Sequence, residues 1–359
     1  MSGSERWVLY LAVLPSYRAA CVDALLELAP DLRMFASAAH LDKSVKTGIS
    51  ANLFTETRML RLGSVAFVQF GGWRHALRAS DLLVDLNPRS LTAWMLILAR
   101  RVVGRRTLVW GHLHPRSGAM GKTARVRRMM RSLADGVVLY TATEARRAEA
   151  EVPGQPVWSA PNALYRERNI GPGATRVERD SIIYVGRFEA EKKVALLVRA
   201  AALAMADRPQ MRLVLVGAGT ERDSLARLAT TLGIEPRTEF VGWCDDLEKL
   251  RALYARSFAS ASPGFAGLGL TQSAGMGVPM VVARDEPHSP EIEIASVGGV
   301  KWCGSDDPRD MARVLGEFWS SRETCPDMTL VKWIRSTYSA ESMARGIVGA
   351  LSGAPDDRA

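Results

Sequence analysis

The sequence predicts an α/β chain made of parallel sheets. Three observations carry that prediction. Short apolar runs recur at Ser181–Val185, Met211–Val216, Phe258–Ser262 and Met280–Ala283, the pattern of strands buried on both faces. Several run into a Gly-bearing turn and then a helical stretch, the alternation of β and α units. A chain of 359 residues is too long for one ordinary core and suits two domains.

The elements follow in order. Trp7–Val13 reads as a first strand, Leu14-Pro15-Ser16-Tyr17-Arg18 as a turn and Ala19–Leu28 as a helix. From Phe35 to Trp73 no periodicity assigns an element. Asp81–Asp85, Thr107–Trp110 and Gly136–Tyr140 read as strands, ending in Asn87-Pro88-Arg89, Gly111-His112 and Thr141. After Ser181–Val185 comes Gly186-Arg187-Phe188-Glu189-Ala190-Glu191-Lys192 and a helix over Val194–Met205. Met211–Val216 leads through Gly217-Ala218-Gly219 into a helix over Glu221–Leu232. Glu239–Trp243 reads as a strand and Leu247–Tyr254 as a helix. Phe258–Ser262 then opens onto Pro263-Gly264-Phe265-Ala266-Gly267-Leu268, before the Met280–Ala283 strand and Pro287-His288-Ser289-Pro290-Glu291.

The polar stretch around Gly171-Pro172-Gly173 reads as a linker. Met343, Ile347, Ala350 and Leu351 form a helical apolar stripe near the end, and Gly353–Ala359 reads as a frayed tail. The expected division is residues 1–168, a linker at 169–180, a second domain at 181–335, and a closing helix with its tail at 336–359.

A composition of 47% hydrophobic and 24% charged residues excludes a disordered chain. No basic-then-apolar leader is read at the N-terminus, and the apolar helix around Ala93–Ala99 is far short of a membrane span. Cys21, Cys244, Cys303 and Cys325 are scattered, which fits buried thiols in a reducing compartment better than disulfides or metal ligands. Asp245-Asp246 reads as a solvated turn, so no metal site is expected.

Net charge is +9, and it is unevenly spread: Arg100 to Arg131 holds ten Lys or Arg and no Asp or Glu. Lys122, Arg125, Arg127, Arg128 and Arg131 crowd one helical segment whose apolar side is Val126, Met129, Met130 and Leu133. Core packing explains that apolar side most simply. No recognition motif accompanies the basic excess, so nucleic acid is not expected. An anionic membrane surface or a lipid-diphosphate acceptor is the preferred partner for it.

Arg187 and Lys192 lie on a strand-to-helix turn at the carboxyl edge of a parallel sheet, where open α/β folds bind ligands. Two fixed cations beside a helix N-terminus suit a diphosphate, although basic turns of this kind are also common solvated surfaces. The glycines of Gly264–Leu268 would let backbone N–H groups approach a phosphate or sugar closely.

The ordered set Val185-Gly186-Arg187 with Lys192, Val216-Gly217-Ala218-Gly219, Phe240-Val241-Gly242, Ser262-Pro263, the Gly-rich loop and Gly277-Val278-Pro279 resembles the donor-binding domain of GT-B glycosyltransferases. The likeness is closest to retaining glycosyltransferase family 4. In the first half, Pro15-Ser16-Tyr17-Arg18 and Pro161-Asn162-Ala163 resemble the opening and closing motifs of the same family. The resemblance implies two Rossmann-like domains facing across a cleft, with the C-terminal helix crossing back to the N-terminal, acceptor-binding domain. It implies donor binding by Gly186, Arg187, Lys192, Gly217, Gly264, Phe265, Ala266, Gly267, Leu268, Gln272 and Glu291. It implies Tyr17 and Arg18 on the acceptor side, and His112 as the group facing the donor sugar; His114, also on the acceptor side, is the rival of His112, two residues on and on the same face if the strand continues.

The chain departs from the family in one place. Two glutamates separated by seven residues are usual there; the corresponding positions hold Gly264 and Gln272. Gln272 can still hydrogen-bond a ribose, without the charge that strengthens the bond. The expected activity is transfer of a hexosyl unit from a nucleotide sugar to a saccharide acceptor, lipid-linked acceptors included. Retention of configuration and independence from metal and cofactor are implied by the family. A nucleotide-sugar epimerase and a non-catalytic nucleotide-sugar-binding subunit are the alternatives. The expected place is the cytoplasm or the inner face of the cell membrane.

Overall fold

The computed structural model describes residues 6–38, 49–115, 118, 121, 123–173 and 177–356. The chain divides into two compact units, residues 1–167 with 338–359, and residues 168–337.

The first unit contains β1 (Trp7–Tyr10), α1 (Ala19–Leu28), β2 (Arg33–Ala36), β3 (Thr55–Glu56), β4 (Arg58–Leu62), β5 (Ala66–Phe70), α2 (Trp73–Arg78), β6 (Asp81–Asp85) and α3 (Leu91–Val102). It continues with β7 (Thr107–Trp110), α4 (Ala124–Leu133), β8 (Gly136–Leu139), α5 (Ala142–Glu151) and β9 (Val157–Ser159). Seven of these strands form one parallel sheet in the order β3-β2-β1-β6-β7-β8-β9. Side chains alternate across it. Leu9, Leu83, Leu108 and Val138 join the core under α1, whereas Val8, Leu82, Val84, Val109 and Val137 join the core under α2, α3 and α4.

The second unit contains β10 (Ser181–Val185), α6 (Val194–Met205), β11 (Arg212–Val216), α7 (Arg222–Thr231), β12 (Thr238–Gly242), α8 (Leu247–Ala255) and β13 (Ser257–Ser262). Then come α9 (Leu268–Gly275), β14 (Met280–Ala283), β15 (Val300–Cys303), α10 (Pro308–Ser320) and α11 (Met328–Thr337). Its sheet is parallel in the order β12-β11-β10-β13-β14-β15, the doubly wound arrangement of a dinucleotide fold.

The chain then returns to the first unit with α12 (Ala340–Ser352), packed on α1 and β9. Met343, Ile347, Ala350 and Leu351 enter the core, as their helical spacing predicts. Of the stretch read as a frayed tail, Gly353–Asp356 is tied down: Trp158 Nε1 donates to the Ala354 carbonyl at 2.6 Å, and Asp356 accepts from the Ser159 N–H at 2.7 Å, whereas residues 357–359 lie outside the described residues. The stretch read as a linker packs with the second unit. Ile170 is buried, and Arg335 and Arg251 donate to the carbonyls of Ile170 and Asn169.

The unassigned region after Phe35 holds β3 and the antiparallel β4–β5 hairpin, which stands outside both large sheets. Asp246 caps α8, accepting from the N–H groups of Glu248 and Lys249. No group of three metal-binding side chains occurs among the described residues. No helix among them is long and apolar enough to cross a membrane. The four cysteines are free.

The basic stretch is not one solvated patch. Arg100 is fully buried on the inner side of α3. It donates to the carbonyls of Ala76 (2.7 Å), Ala79 (2.9 Å), Ser80 (3.1 Å) and Arg106 (2.6 Å), and to Thr107 Oγ1 at 2.9 Å. It thus closes the carbonyl end of α2, groups a helix leaves unpaired. Burial lowers its pKa to about 10, still charged at neutral pH. Arg131 is buried against Glu151 at 2.8 Å. Arg106 pairs with Asp81 and donates to the last carbonyls of α12. Arg127 donates to the carbonyls of Leu86 and His112. Arg116 and Lys122 lie outside the described residues. Arg101, Arg105, Arg125 and Arg128 remain exposed. Of the apolar side expected for α4, Met130 is buried, but Val126 and Met129 face solvent.

Candidate functional site

In each sheet the strand order reverses once, and ligands of open α/β sheets lie beyond the strand ends at that reversal. In the second unit it falls between β10 and β13. The turn after β10 carries Arg187 and Lys192, and the Gly-rich loop follows β13.

Backbone bonds fix the turn. Gly186 N–H donates to the Val216 carbonyl and Phe188 N–H to that of Ala218, both at 2.9 Å, with the Phe188 ring fully buried. Gly217 has a positive φ of 147°, and a side chain there would collide with the Gly186 carbonyl. Its role is this close approach. Lys192 Nζ donates to the Phe265 carbonyl at 3.1 Å and lies 4.7 Å from the Phe265 ring centre. Arg187 is partly exposed and pairs with Glu191 at 3.2 Å. Lys193 does something else: it adopts φ 51°, and its Nζ meets Glu286 at 2.6 Å and Asp306 at 2.8 Å. Three strand-end loops are thereby clamped together beside the turn. Nothing in the sequence reading singled out this clamp.

The Gly-rich loop packs directly on the turn. A Cβ on Gly264 would lie 2.5 Å from the Glu191 carbonyl oxygen and 3.1 Å from the Lys192 carbonyl carbon. This explains the missing first glutamate, because no side chain fits where two backbones touch. Ala266 and Gly267 are fixed from the other side. Ala266 N–H donates to His288 Nδ1 at 3.1 Å, His288 Nε2 meets the Ala283 carbonyl at 2.7 Å, and Ser289 N–H donates to the Ala266 carbonyl at 2.9 Å. Within Gly264–Leu268, the Ala266 N–H is thus taken by His288. Gly267 precedes α9, which Leu268 opens. Gln272, one turn further, is buried, and its Oε1 accepts from the Tyr254 hydroxyl at 3.3 Å. Glu291 is buried in the short helical segment Pro290–Val297.

His288 must accept at Nδ1 and donate at Nε2, so the folded protein needs it neutral. Burial lowers its pKa below 6.5, opposed by the Ala283 carbonyl and Glu286. A group whose protonation is disfavoured by folding contributes stability above its unfolded pKa and loses it as pH falls. Melting temperature should therefore drop as pH is lowered through and below 6.5, and His288→Phe should melt lower with a flatter profile over that window. Equal slopes for the two proteins would remove His288 from the loop's support.

In the first unit the reversal lies between β1 and β6. Tyr17 and Arg18 occupy the turn after β1. Arg18 is buried, donates to the Tyr140 hydroxyl at 2.6 Å and stacks 4.4 Å from the Trp110 ring centre, with the Tyr17 ring at 5.9 Å. His112 sits 4.6 Å from the Tyr140 ring. Asp85, at the end of β6, accepts the Ala12 N–H across the switch point. Burial pushes its pKa up to about 6, against the pull of that N–H and of Arg18. Trp110 Nε1 and Arg18 Nε are buried with no hydrogen-bond partner among the described residues. The sequence reading missed Asp85, Trp110 and Tyr140. A carboxylate closing the apolar run Leu82-Leu83-Val84 was the available signal for Asp85. His114 is not part of this cluster. The strand stops at Trp110, so the face shared by His112 and His114 is lost, and His114 Nε2 meets Glu151 at 2.9 Å.

These two doubly wound units have the GT-B fold. Among solved structures, the chain is similar to Alr3699/HepE of Anabaena, determined in complex with UDP: TM-score 0.70, 14% identity, covering 96% of this chain and 99% of the other. It is similar too to sucrose-phosphate synthase of Thermosynechococcus elongatus, with TM-score 0.68 and 15% identity over 97% and 98% of the two chains. Residues 166–329, the second unit almost throughout, match the family model described as Glycosyl transferases group 1. A curated relative is the lipopolysaccharide core biosynthesis glycosyltransferase LpsE of Rhizobium meliloti (strain 1021), 34% identical over 112 residues. That match spans 31% of this chain and only 32% of the relative.

Proposed function

We propose that the protein transfers a hexosyl unit from a nucleotide-sugar donor to a saccharide acceptor, with retention of configuration and without a required metal. The observation that carries this reading is the Arg187–Lys192 turn packed on the Gly264–Leu268 loop at the switch point of a group 1 glycosyltransferase unit. Lys192 and Arg187 would balance the departing nucleoside diphosphate, the charge such a reaction must stabilise. The loop and Gln272 would hold sugar and ribose, with Glu291 near them, and Phe265 would keep Lys192 in place.

The Arg18, Tyr140, Trp110 and His112 cluster would bind the acceptor or the transferred sugar, offering buried polar groups that a hydroxyl can satisfy. The likeness to a lipopolysaccharide core enzyme supports a glycan or glycolipid acceptor, built at the inner face of the cell membrane. A panel of nucleotide sugars screened by thermal shift should yield one that raises the melting temperature by mass action. That donor should release its nucleoside diphosphate when a saccharide acceptor is added. Isomerised donor would favour the epimerase, and binding without turnover the inert subunit.

A further inference from the structure

The helix α3 carries apolar residues on its inner and its outer side. Its inner side carries the buried Arg100 beside Ala93, Leu96 and Ile97. Its outer side carries Leu91, Met95, Leu98 and Val102, exposed by 42%, 37%, 47% and 87%. These four recur at i, i+4, i+7 and i+11 and fall on one line along the helix. A helix apolar on both sides is normally covered on both sides, and a contiguous apolar line at the surface marks an interaction site.

The surroundings say what covers it. Val103 continues the line at the C-terminal end with 62% exposure. The neighbouring α4, packed against α3, adds Val126 and Met129 to the exposed apolar surface. The exposed charges among these residues are Arg101, Arg105, Arg125 and Arg128. No acid occurs anywhere between Asp85 and Asp135. Arg128 has Glu151 at 3.8 Å, but that carboxylate is mostly covered, so the exposed rim is dominated by guanidinium groups; a protein partner would be met by both signs of charge, whereas such a rim complements an anionic lipid surface. At 12 residues, α3 is too short to span a bilayer but can lie in its interface.

We infer that the outer line of α3, flanked by the exposed arginines of α3 and α4, is a docking face for an anionic phospholipid bilayer, with α3 lying in the headgroup plane. The inference deepens the reading of a membrane-associated acceptor and rests on it for its purpose, but binding is measured without any sugar transfer. It also relocates the contact. The expected basic patch from Arg100 to Arg131 spends Arg100, Arg106, Arg127 and Arg131 on internal bonds; the apolar line of α3 takes over the larger part.

The test is co-sedimentation of the full chain with vesicles of phosphatidylcholine alone, and of equal parts phosphatidylcholine and phosphatidylglycerol. Wild type should bind the anionic vesicles, and binding should fall as salt rises. Leu98→Glu with Val102→Glu should weaken binding at least about tenfold, since apolar insertion is replaced by like-charge repulsion. Arg101→Gln with Arg125→Gln should weaken it severalfold while leaving salt-independent binding in place. All four positions are exposed, and the one bond lost among the described residues is that of Arg101 to the Leu133 carbonyl at 3.3 Å, so melting temperatures should change little and donor hydrolysis should be retained. Full binding by the Leu98→Glu/Val102→Glu protein would overturn the proposal, as would no binding by wild type. A wild-type dimer in sedimentation velocity that those substitutions dissolve would assign the face to a second copy and overturn it as well. Loss of vesicle binding with donor turnover intact, and the converse, separate this inference from the catalytic reading.

Discussion

Lys192→Ala should weaken nucleoside diphosphate binding by about 1–3 kcal/mol, roughly fivefold to a hundredfold or more, the worth of a charge-assisted contact. Lys192 contributes twice. Its ammonium stands at the switch point of the second sheet, and its bond to the Phe265 carbonyl ties the turn to the Gly-rich loop. Losing the side chain removes the cation and loosens the loop that would carry the sugar. Arg187→Ala should cost less, because that guanidinium is partly exposed and already shared with Glu191. Calorimetric titration with the diphosphate of the identified donor decides the matter; an unchanged dissociation constant for Lys192→Ala would remove Lys192 from the site.

The alternation of strands and helices was legible because parallel strands are apolar on both faces and their turns need glycine. Asp81–Asp85, Thr107–Trp110, Ser181–Val185 and Met280–Ala283 stand where the apolar runs place them. The β4–β5 hairpin was not legible, since Leu60, Leu62 and Phe70 face solvent and break the rule that apolar means inside. Within the site, the position of Lys192 followed from the motif, but its partner Phe265 did not, because residues 73 apart in sequence meet only through the fold. The sequence shows a glycine where an acid is usual but not why; the structure gives Gly264 a steric cause in the Glu191–Lys192 backbone. His114 would share a face with His112 only if the strand ran on past Trp110; it ends there, and His114 meets Glu151 instead. The burial of Arg100 could have been read. It falls on the line of Ala93, Leu96 and Ile97 at helical spacing, yet a run of positive charge invites the assumption that each member is solvated.

Arg100→Leu should destabilise the first unit by about 3–5 kcal/mol, near the upper end for single substitutions. Leucine fills much of the space but donates nothing, leaving the carbonyls of Ala76, Ala79, Ser80 and Arg106 to find partners in a buried place. Each unsatisfied buried acceptor costs roughly 1–3 kcal/mol, and relaxation around α2 would recover part of the sum. Arg100→Lys should lie between, because an ammonium keeps the charge but has three donors and no planar fork. The chain has two units, so the first transition in denaturant, not a single global one, is the quantity to compare. The loss should be insensitive to salt, unlike any effect at the exposed Arg101 or Arg125. A first transition unmoved by Arg100→Leu would mean that water reaches these carbonyls, and that the charge inside α3 does not set which side of the helix faces out.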